Sequence, residues 1–219
     1  MHINIMEKVI TIDGVSKQYK EQLVLDDITV SFEKGKIHGI IGRNGSGKTV
    51  LIKIICGFVH PDKGTVIVNG KKVGEDIDFP ENMGIIIEAP GFLPTISAYK
   101  NLKYLASLRN TISDDEIRDS ITLVGLDPND KKHVGKYSLG MKQRLGIAQA
   151  IMENPDILLL DEPMNGLDKN GVSEIRTLLM KFKEEGKTII IVSHNKEDID
   201  SLCDTVHEMD AGKIRSKND

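Results

Sequence analysis

The chain has 219 residues, of which 39% are apolar and 28% charged, and its formal net charge is −4. This composition is typical of a globular protein, and the negative charge argues against electrostatic binding of nucleic acid, so no nucleic-acid partner is expected. The longest aliphatic runs, near Ile157–Leu160 and Ile189–Val192, have strand length and are too short to cross a bilayer. Cys56 and Cys203 lack metal-type spacing and Met1–Ile10 lacks a signal-peptide core, so we expect reduced core thiols in a cytoplasmic protein.

The first part of the chain is predicted to be rich in strands. Short apolar runs predict strands at Val9–Ile12, Ile28–Phe32, Ile37–Ile41, Thr65–Val68, Lys71–Val73 and Met83–Ile87. A polar turn region is expected between the first two strands. Thr49–Cys56 predicts a helix that ends at Gly57, and Asn69-Gly70 predicts a type I′ hairpin turn. We therefore expect an antiparallel β layer near the N-terminus.

The middle of the chain is predicted to be helical. Apolar periodicity predicts helices at Ser97–Arg109, Ser113–Val124 and Gly140–Met152. The first of them is expected to carry Leu102, Leu105 and Leu108 on one side. The second begins with the capping box Ser113-x-x-Glu116. Residues 89–154 are therefore predicted to form an inserted helical subdomain.

The last part of the chain alternates strands with helices. The predicted strands are Ile157–Leu160, Thr188–Val192, Thr205–Met209 and Lys213-Ile214, and the predicted helices are Val172–Glu185 and Lys196–Cys203. The first of these strands is apolar at every position, as strands buried on both faces of a parallel sheet are. The pattern predicts an α/β fold with a mainly parallel sheet flanked by helices.

One segment matches the phosphate-binding pattern G-x-x-x-x-G-K-[ST] without a mismatch: Gly42-Arg43-Asn44-Gly45-Ser46-Gly47-Lys48-Thr49. A predicted strand precedes it and a predicted helix follows it, which is the context this motif requires. The glycines allow the backbone to turn so that its amides point at an anion, and the helix N-terminus adds partial positive charge. Lys48 is expected to reach the β- and γ-phosphates, and the Thr49 hydroxyl to ligate Mg²⁺. The alternative is a glycine-rich turn that only precedes a helix.

Two acids follow the buried strand Ile157–Leu160. Asp161 and Glu162 would lie at the carboxyl edge of a parallel sheet, where ligands of such sheets bind. Asp161 is suited to hold Mg²⁺, and Glu162 to polarise the water that attacks the γ-phosphate. Without the phosphate-binding segment, a strand followed by an acidic turn would be the preferred interpretation.

The order of these motifs resembles an ATP-binding subunit of an ABC transporter, from about Val9 to Ile214. The resemblance rests on the phosphate-binding segment, the helical insert, Tyr137–Arg144, Leu160–Pro163, Asn165–Asp168 and Ser193-His194. It implies a P-loop NTPase fold in which residues 1–219 form a single domain. Residues 1–88 and 155–219 would be its catalytic α/β core, and residues 89–154 its helical signature subdomain.

The resemblance assigns a role to the segment that begins at Tyr137. The family binds the γ-phosphate held by the opposite subunit with a serine here and with the N-terminus of the following helix, so Ser138 and Gly140 would act in trans. Leu139 stands in place of the family's first glycine and Met141 in place of its first glutamine. A helix N-cap alone also accounts for Ser138.

Three further residues receive roles from the resemblance. His194 would stabilise the γ-phosphate and position water with Glu162, although a histidine after a strand is usually only a surface residue. Asp168 would cross the dimer interface, and a helix N-cap is an alternative that is compatible with this role. Tyr19 has the family spacing for stacking on adenine, and its alternative is an ordinary surface tyrosine.

Glu88 departs from the family pattern, which has a glutamine that contacts Mg²⁺ and water. A carboxylate at Glu88 can bind Mg²⁺ or orient water. The loop Ala89–Thr95 is predicted to dock on a membrane partner through Phe92 and Leu93, and their packing inside the helical subdomain is the alternative.

Together with its motifs, the resemblance implies an ATPase that uses ATP and Mg²⁺ and works as a head-to-tail dimer with a second copy of itself. It would drive a separate integral membrane permease from the inner face of the cell membrane. The segments around Glu88 and Tyr137 resemble the branch for bacitracin-type or lantibiotic peptide export and immunity. The alternatives are a non-transport ABC ATPase acting on ribosomes or DNA and an unrelated phosphate-loop kinase. The isolated monomer is expected to bind ATP but to hydrolyse it poorly.

Overall fold

The computed structural model describes residues 7–88 and 91–217. Its strands are β1 (Lys8–Tyr19), β2 (Gln22–Glu33), β3 (Ile37–Ile41), β4 (Lys63–Val68), β5 (Lys71–Lys72), β6 (Met83–Ile86), β7 (Ile157–Asp161), β8 (Thr188–Ser193), β9 (Thr205–Asp210) and β10 (Lys213–Ser216). Its α-helices are α1 (Lys48–Ile55), α2 (Ala98–Arg109), α3 (Asp114–Leu123), α4 (Leu139–Ile151), α5 (Lys169–Glu184) and α6 (Lys196–Leu202). The predicted α/β fold is confirmed.

The chain divides into two compact units. One consists of residues 1–81 and 183–219, and the other of residues 82–182. The division at residues 88/89 and 154/155 that the sequence suggested remains a prediction. In the structure, β6 and β7 belong to the same unit as α2, α3 and α4.

The N-terminal antiparallel layer has the strand order β2-β1-β4-β5. The predicted strands Val9–Ile12 and Ile28–Phe32 are too short, because β1 and β2 pair down to Tyr19 and Gln22, so the polar turn between them is confined to Lys20 and Glu21. Breaks in the β1–β2 register accompany a left-handed backbone at Gly14, and bulges of this kind let a ladder continue through polar residues. The hairpin between β4 and β5 is confirmed.

The same unit contains the strand order β10-β9-β3-β8, in which β9, β3 and β8 are parallel. Helix α6 packs closely on β3, since a Cβ at Gly39 would lie 2.8 Å from Ile199 Cγ2 and 2.9 Å from Cys203 Sγ. Burial raises the pKa of the Cys56 and Cys203 thiols to about 12. Both cysteines are free, and their packing supports the predicted role as reduced core residues.

In the unit of residues 82–182, β6 and β7 pair in parallel, and the three predicted central helices are confirmed. The capping box of Ser113 and Glu116 is present at the start of α3. The predicted position of Leu108 is wrong, because its side chain is 70% exposed. It lies six positions after the buried Leu102, which is a rotation of about 240° around a helix, so Ala106 takes the buried position instead.

Within residues 7–88 and 91–217, no helix combines the length and the apolar character that a bilayer crossing requires.

His38 is a buried polar residue of β3, only 1% exposed. Its Nε2 lies 2.8 Å from the carbonyl oxygen of Glu33, and its Nδ1 lies 2.6 Å from Thr205 Oγ1. Because a carbonyl only accepts, the proton is on Nε2, and Nδ1 accepts from the Thr205 hydroxyl. The ring also meets the edge of Phe32, with centroids 5.2 Å apart. Burial lowers the pKa of His38 below its ordinary value, so the neutral ring is the native form.

This burial predicts a loss of stability in mild acid. The unfolded chain binds more protons than the folded one below about pH 6.5, so the free energy of unfolding should fall as the pH decreases. One such group contributes at most about 1.4 kcal/mol per pH unit. His38→Gln, which cannot titrate, should flatten the dependence of the urea midpoint on pH between about pH 5 and 7.

One comparison sharpens the test. Burial also lowers the pKa of His207, so a smaller slope of the same sign should remain in His38→Gln. An unchanged slope in His38→Gln would contradict the assignment.

Candidate nucleotide-binding site

The segment Gly42–Thr49 connects β3 to the N-terminus of α1. Gly45 has φ +80° and Gly47 has φ +105°, a left-handed region that glycine adopts without steric cost. Gly47 is the N-cap of α1, and a Cβ there would lie 2.8 Å from the carbonyl oxygen of Val24. A glycine cap places no side chain over the first amides of the helix. Together with the helix dipole these amides are suited to bind an anion.

Gly42 is required for a different reason from the one the sequence suggested. It does not have a positive φ, but a Cβ there would lie 2.2 Å from the carbonyl oxygen of Met209. The backbone of Gly212 also donates to the carbonyl oxygen of Ser46 at 3.1 Å. The turn between β9 and β10 therefore packs directly on the phosphate-binding segment.

Lys48 is held inside the curve of this segment. Its Nζ donates to the carbonyl oxygens of Gly42 at 2.7 Å and Arg43 at 2.9 Å, and the residue is only 7% exposed. Arg43 and Asn44 are exposed, and Thr49 lies half-buried in the first turn of α1. A buried ammonium group at the N-terminus of a helix is an arrangement suited to phosphate oxygens.

Tyr19 is the last residue of β1 and is 45% exposed. Lys17 Nζ lies 5.4 Å from the centroid of its ring and also pairs with Asp62 Oδ1 at 2.8 Å. An exposed ring of this kind can stack on a flat base. Stacking of Tyr19 on adenine remains a prediction.

His194 directly follows β8, whose residues are buried throughout. The position of His194 after a buried strand is as predicted, and its side chain is exposed. The next residue, Asn195, caps α6 by accepting from the amide of Glu197 at 3.0 Å. The cap fixes the backbone that carries His194, whose catalytic role remains a prediction.

The two predicted acids lie at the end of β7. Asp161 is its last residue and is buried, and Glu162 follows half-buried. Glu162 has φ +50°, which is uncommon for a residue with a side chain. The structure thus confirms that two carboxylates stand at the end of a buried strand, and it shows in addition that the second has a left-handed backbone. Their roles remain predictions.

Sequence reasoning missed an interaction of Gln143 with this turn. Its Nε2 donates to the carbonyl oxygens of Glu162 and Pro163, both at 3.1 Å. The signal was a polar residue four positions before Ile147, which is fully buried, so the two residues lie on the same side of α4.

Ser138 is the N-cap of α4, as the alternative interpretation predicted. Its Oγ accepts from the amide of Met141 at 3.2 Å, and its side chain is exposed. Gly140 lies close to the backbone of Gly166, since a Cβ at Gly140 would lie 2.8 Å from the carbonyl oxygen of Gly166. The function of Ser138 and Gly140 in trans is compatible with this exposed helix end and remains a prediction.

Asp168 caps the start of α5. Its Oδ1 accepts from the amide of Gly171 at 2.8 Å, and the residue is exposed. The capping interpretation is confirmed, and the exposed carboxylate leaves the predicted interface role open.

Glu88 is exposed, has φ +59° and follows β6. In the part of the chain that the structure describes, no three His, Cys, Asp or Glu side chains form a metal cluster. The Thr49 hydroxyl and the Asp161 carboxylate are hard oxygen donors of the type that Mg²⁺ prefers, and a Mg²⁺ bound with a nucleotide needs only one or two of them. The residues therefore fit this ion.

The predicted docking loop Ala89–Thr95 is only partly described, because residues 89 and 90 lie outside the described residues. Leu93 is exposed, whereas Phe92 is half-buried. The carboxamide of Asn101 bonds both the amide and the carbonyl oxygen of Leu93, at 2.8 and 3.1 Å. The backbone of the loop is thus fixed at Leu93, and docking remains a prediction.

The fold is similar to that of solved ATP-binding cassettes. The dimeric structure of a post-hydrolysis state of the cassette MJ0796, bound to ADP and Pi, has a TM-score of 0.85 at 23% identity. The similarity covers 95% of this chain and 97% of that chain. This similarity supports the α/β fold described above.

Curated relatives match nearly the whole chain. An ABC transporter ATP-binding protein of Bacillus subtilis (strain 168), YybJ, is 47% identical over 95% of both chains. The bacitracin transport ATP-binding protein BcrA of Enterococcus faecalis is 44% identical over 96% of this chain and 69% of its own. The lantibiotic transport ATP-binding protein SrtF of Streptococcus pyogenes is 37% identical over 94% of this chain and 89% of its own. The predicted resemblance to this branch is confirmed, and the ribosome- or DNA-directed alternative is not favoured.

Residues 25–165 match the family model for ABC transporters. The matched span contains the phosphate-binding segment, the N-terminus of α4 and the two carboxylates at the end of β7. The sequence, the fold and the relatives therefore agree: the chain belongs to the ABC transporter family and is one of its ATP-binding, ATP-hydrolysing subunits.

Proposed function

We propose that two copies of this chain form a head-to-tail dimer that hydrolyses ATP and drives a separate integral membrane permease. The observation that carries the proposal is the geometry of Gly42–Thr49, a backbone cradle with a buried lysine at a helix N-terminus. The names of the relatives support export of antimicrobial peptides or drugs, or immunity to them, as the task of the complex. The chain would then work at the inner face of the cell membrane.

The phosphate-binding segment and Tyr19 would hold the nucleotide. The amides of this segment bind the phosphate oxygens, and Lys48 exchanges its carbonyl partners for the β- and γ-phosphates. Tyr19 stacks on the adenine through its exposed ring.

Thr49 and Asp161 would hold Mg²⁺, with Glu88 as a further oxygen ligand. With the ion bound, the site would supply positive charge that offsets the charge on the β- and γ-phosphates during phosphoryl transfer. Thr49 contributes a neutral hydroxyl and Asp161 a buried carboxylate, which together suit an ion that keeps several waters.

Glu162 would act as the general base and His194 as its partner. Glu162 accepts a proton from the attacking water, and His194 donates to the γ-phosphate and orients that water. The left-handed backbone of Glu162 is in keeping with this role, because strained residues occur often at catalytic sites.

The remaining wall of each site would come from the second copy. Ser138, Gly140 and the first amides of α4 contact the γ-phosphate in trans, and Asp168 crosses the interface. The exposed side chains of Ser138 and Asp168 and the dimeric state of the similar cassette MJ0796 support this arrangement. Leu139 and Met141 change side chains at this helix end and leave the backbone donors in place.

The role of Glu162 predicts a separation of binding from turnover. Glu162→Gln should bind ATP with nearly wild-type affinity but lose at least about 100-fold in kcat, because the amide cannot accept the proton. It should also accumulate an ATP-bound dimer, measurable by size-exclusion chromatography with light scattering. Turnover within a few-fold of wild type would exclude Glu162 as the base.

The trans role of Ser138 can be separated from its capping role by charge. Ser138→Asp and Ser138→Asn both keep a strong N-cap, so both should retain the thermal midpoint of the wild type. Only Ser138→Asp places a negative charge against the γ-phosphate, and it should reduce kcat at least about tenfold relative to Ser138→Asn. Equal turnover of the two variants would leave Ser138 as a cap alone.

The transport role predicts the partner in a co-purification experiment. A tagged copy of the chain, extracted from membranes with mild detergent, should bring down an integral membrane protein, and permeabilised cells should show ATPase activity associated with that complex. Co-purification with ribosomes and without any integral membrane protein would contradict the transport role.

A further inference from the structure

Gln143 connects α4 with the turn that follows β7. The residue is only 8% exposed, and its Nε2 lies 3.1 Å from the carbonyl oxygens of both Glu162 and Pro163. A carboxamide nitrogen carries two hydrogens, so one side chain can serve both carbonyls at once. These contacts hold two successive peptide groups, the one before and the one after Pro163.

The backbone at this turn needs such support. Glu162 has φ +50°, a conformation that persists for a residue with a side chain only where its surroundings impose it. Its carbonyl oxygen accepts from Gln143 and from the amide of Asn165, the latter at 3.1 Å. Pro163 has no amide hydrogen and cannot help to fix the turn by donating one.

The first turn of α4 packs on the same loop a few residues further on. A Cβ at Gly166 would lie 2.5 Å from Leu139 Cγ, and a Cβ at Gly140 would lie 2.8 Å from the carbonyl oxygen of Gly166. The helix end that carries Ser138 and the loop that carries Glu162 are therefore in contact at two places, the Gln143 side chain and the Gly166 backbone.

We propose that Gln143 is a positioning residue for hydrolysis: its carboxamide holds the left-handed backbone of Glu162 and thereby orients the carboxylate that accepts the proton from water. This inference rests on the proposed function of Glu162. Gln143 itself touches neither nucleotide nor water in this role. Its loss should therefore reduce turnover and leave ATP binding intact.

The direct test is Gln143→Met, which keeps the length of the side chain and removes both donors. We expect kcat to fall at least about tenfold, because a small misplacement of a catalytic group is costly. The Kd for a fluorescent ATP analogue should stay within about twofold of wild type, since the phosphate-binding segment is unchanged. A kcat within about twofold of wild type would overturn the proposal.

A second variant, Gln143→Glu, is tested by the dependence of its activity on pH. This dependence would not be expected if Gln143 only filled space. An ionised carboxylate cannot donate to the two carbonyls, whereas a protonated carboxyl can donate to one of them. Burial raises the pKa of a carboxyl, so activity relative to wild type should recover as the pH decreases from about 8 to 6. The Gln143→Met variant should show no such recovery, and a flat relative activity of Gln143→Glu would contradict the proposal.

A matched control accounts for lost stability. Ile121→Ala removes a fully buried side chain from α3, which packs against α4 in the same unit. It should lower the thermal midpoint as much as Gln143→Met or more, with an unchanged kcat at a temperature where all variants are folded. An equal loss of kcat in Ile121→Ala would show that destabilisation alone explains the Gln143→Met result and would overturn the proposal.

Failure of this inference can be distinguished from failure of the proposed function. Full turnover in Glu162→Gln would reject Glu162 as the base and the positioning role with it. Loss of turnover in Glu162→Gln with wild-type turnover in Gln143→Met would keep the base and reject only the role of Gln143.

Discussion

The fold depends on one constraint at Gly42–Thr49: a backbone that binds phosphate must approach its neighbours without side chains between them. Two neighbouring segments impose this constraint, because Val24 lies against Gly47 and Met209 lies against Gly42. The antiparallel layer and the β9–β10 hairpin thus shape the loop, although neither contains a residue of the phosphate-binding pattern. The buried Lys48 then adds charge to a cradle that the backbone has already formed.

In the unit of residues 82–182, the end of a strand and the turn that follows it position two carboxylates. A fully buried strand ends in Asp161 and Glu162, and the chain then turns through a left-handed residue and a proline. Helix α4 fixes this turn through Gln143, and its own N-terminus carries Ser138. If Ser138 and Glu162 have their proposed roles, a change at the helix end would alter the position of the carboxylate and so link phosphate contact in trans to water activation.

The sequence predicted what depends on short-range patterns. Buried strands, capped helices and the phosphate-binding pattern each have a local signature, as at Ser113-x-x-Glu116. The extension of β1 and β2 was missed because strands are predicted from the alternation of apolar and polar residues. β-bulges shift the pairing of these two strands, so the alternation is broken where the strands continue. The close approach of Met209 to Gly42 and the bonds of Gln143 join residues far apart in sequence, so a local pattern does not identify the partners of these residues.

The central claim, that each hydrolytic site needs a second copy of the chain, is tested most directly by mixing two inactive variants. Lys48→Ala would lack its own phosphate contact, and Ser138→Asp would spoil the contact it offers to its partner. In an equal mixture about half the dimers are mixed, each with one intact composite site, so roughly a quarter of the wild-type sites should return. ATPase activity well above the sum of the separate variants is the predicted result. A mixture no more active than that sum would contradict the account.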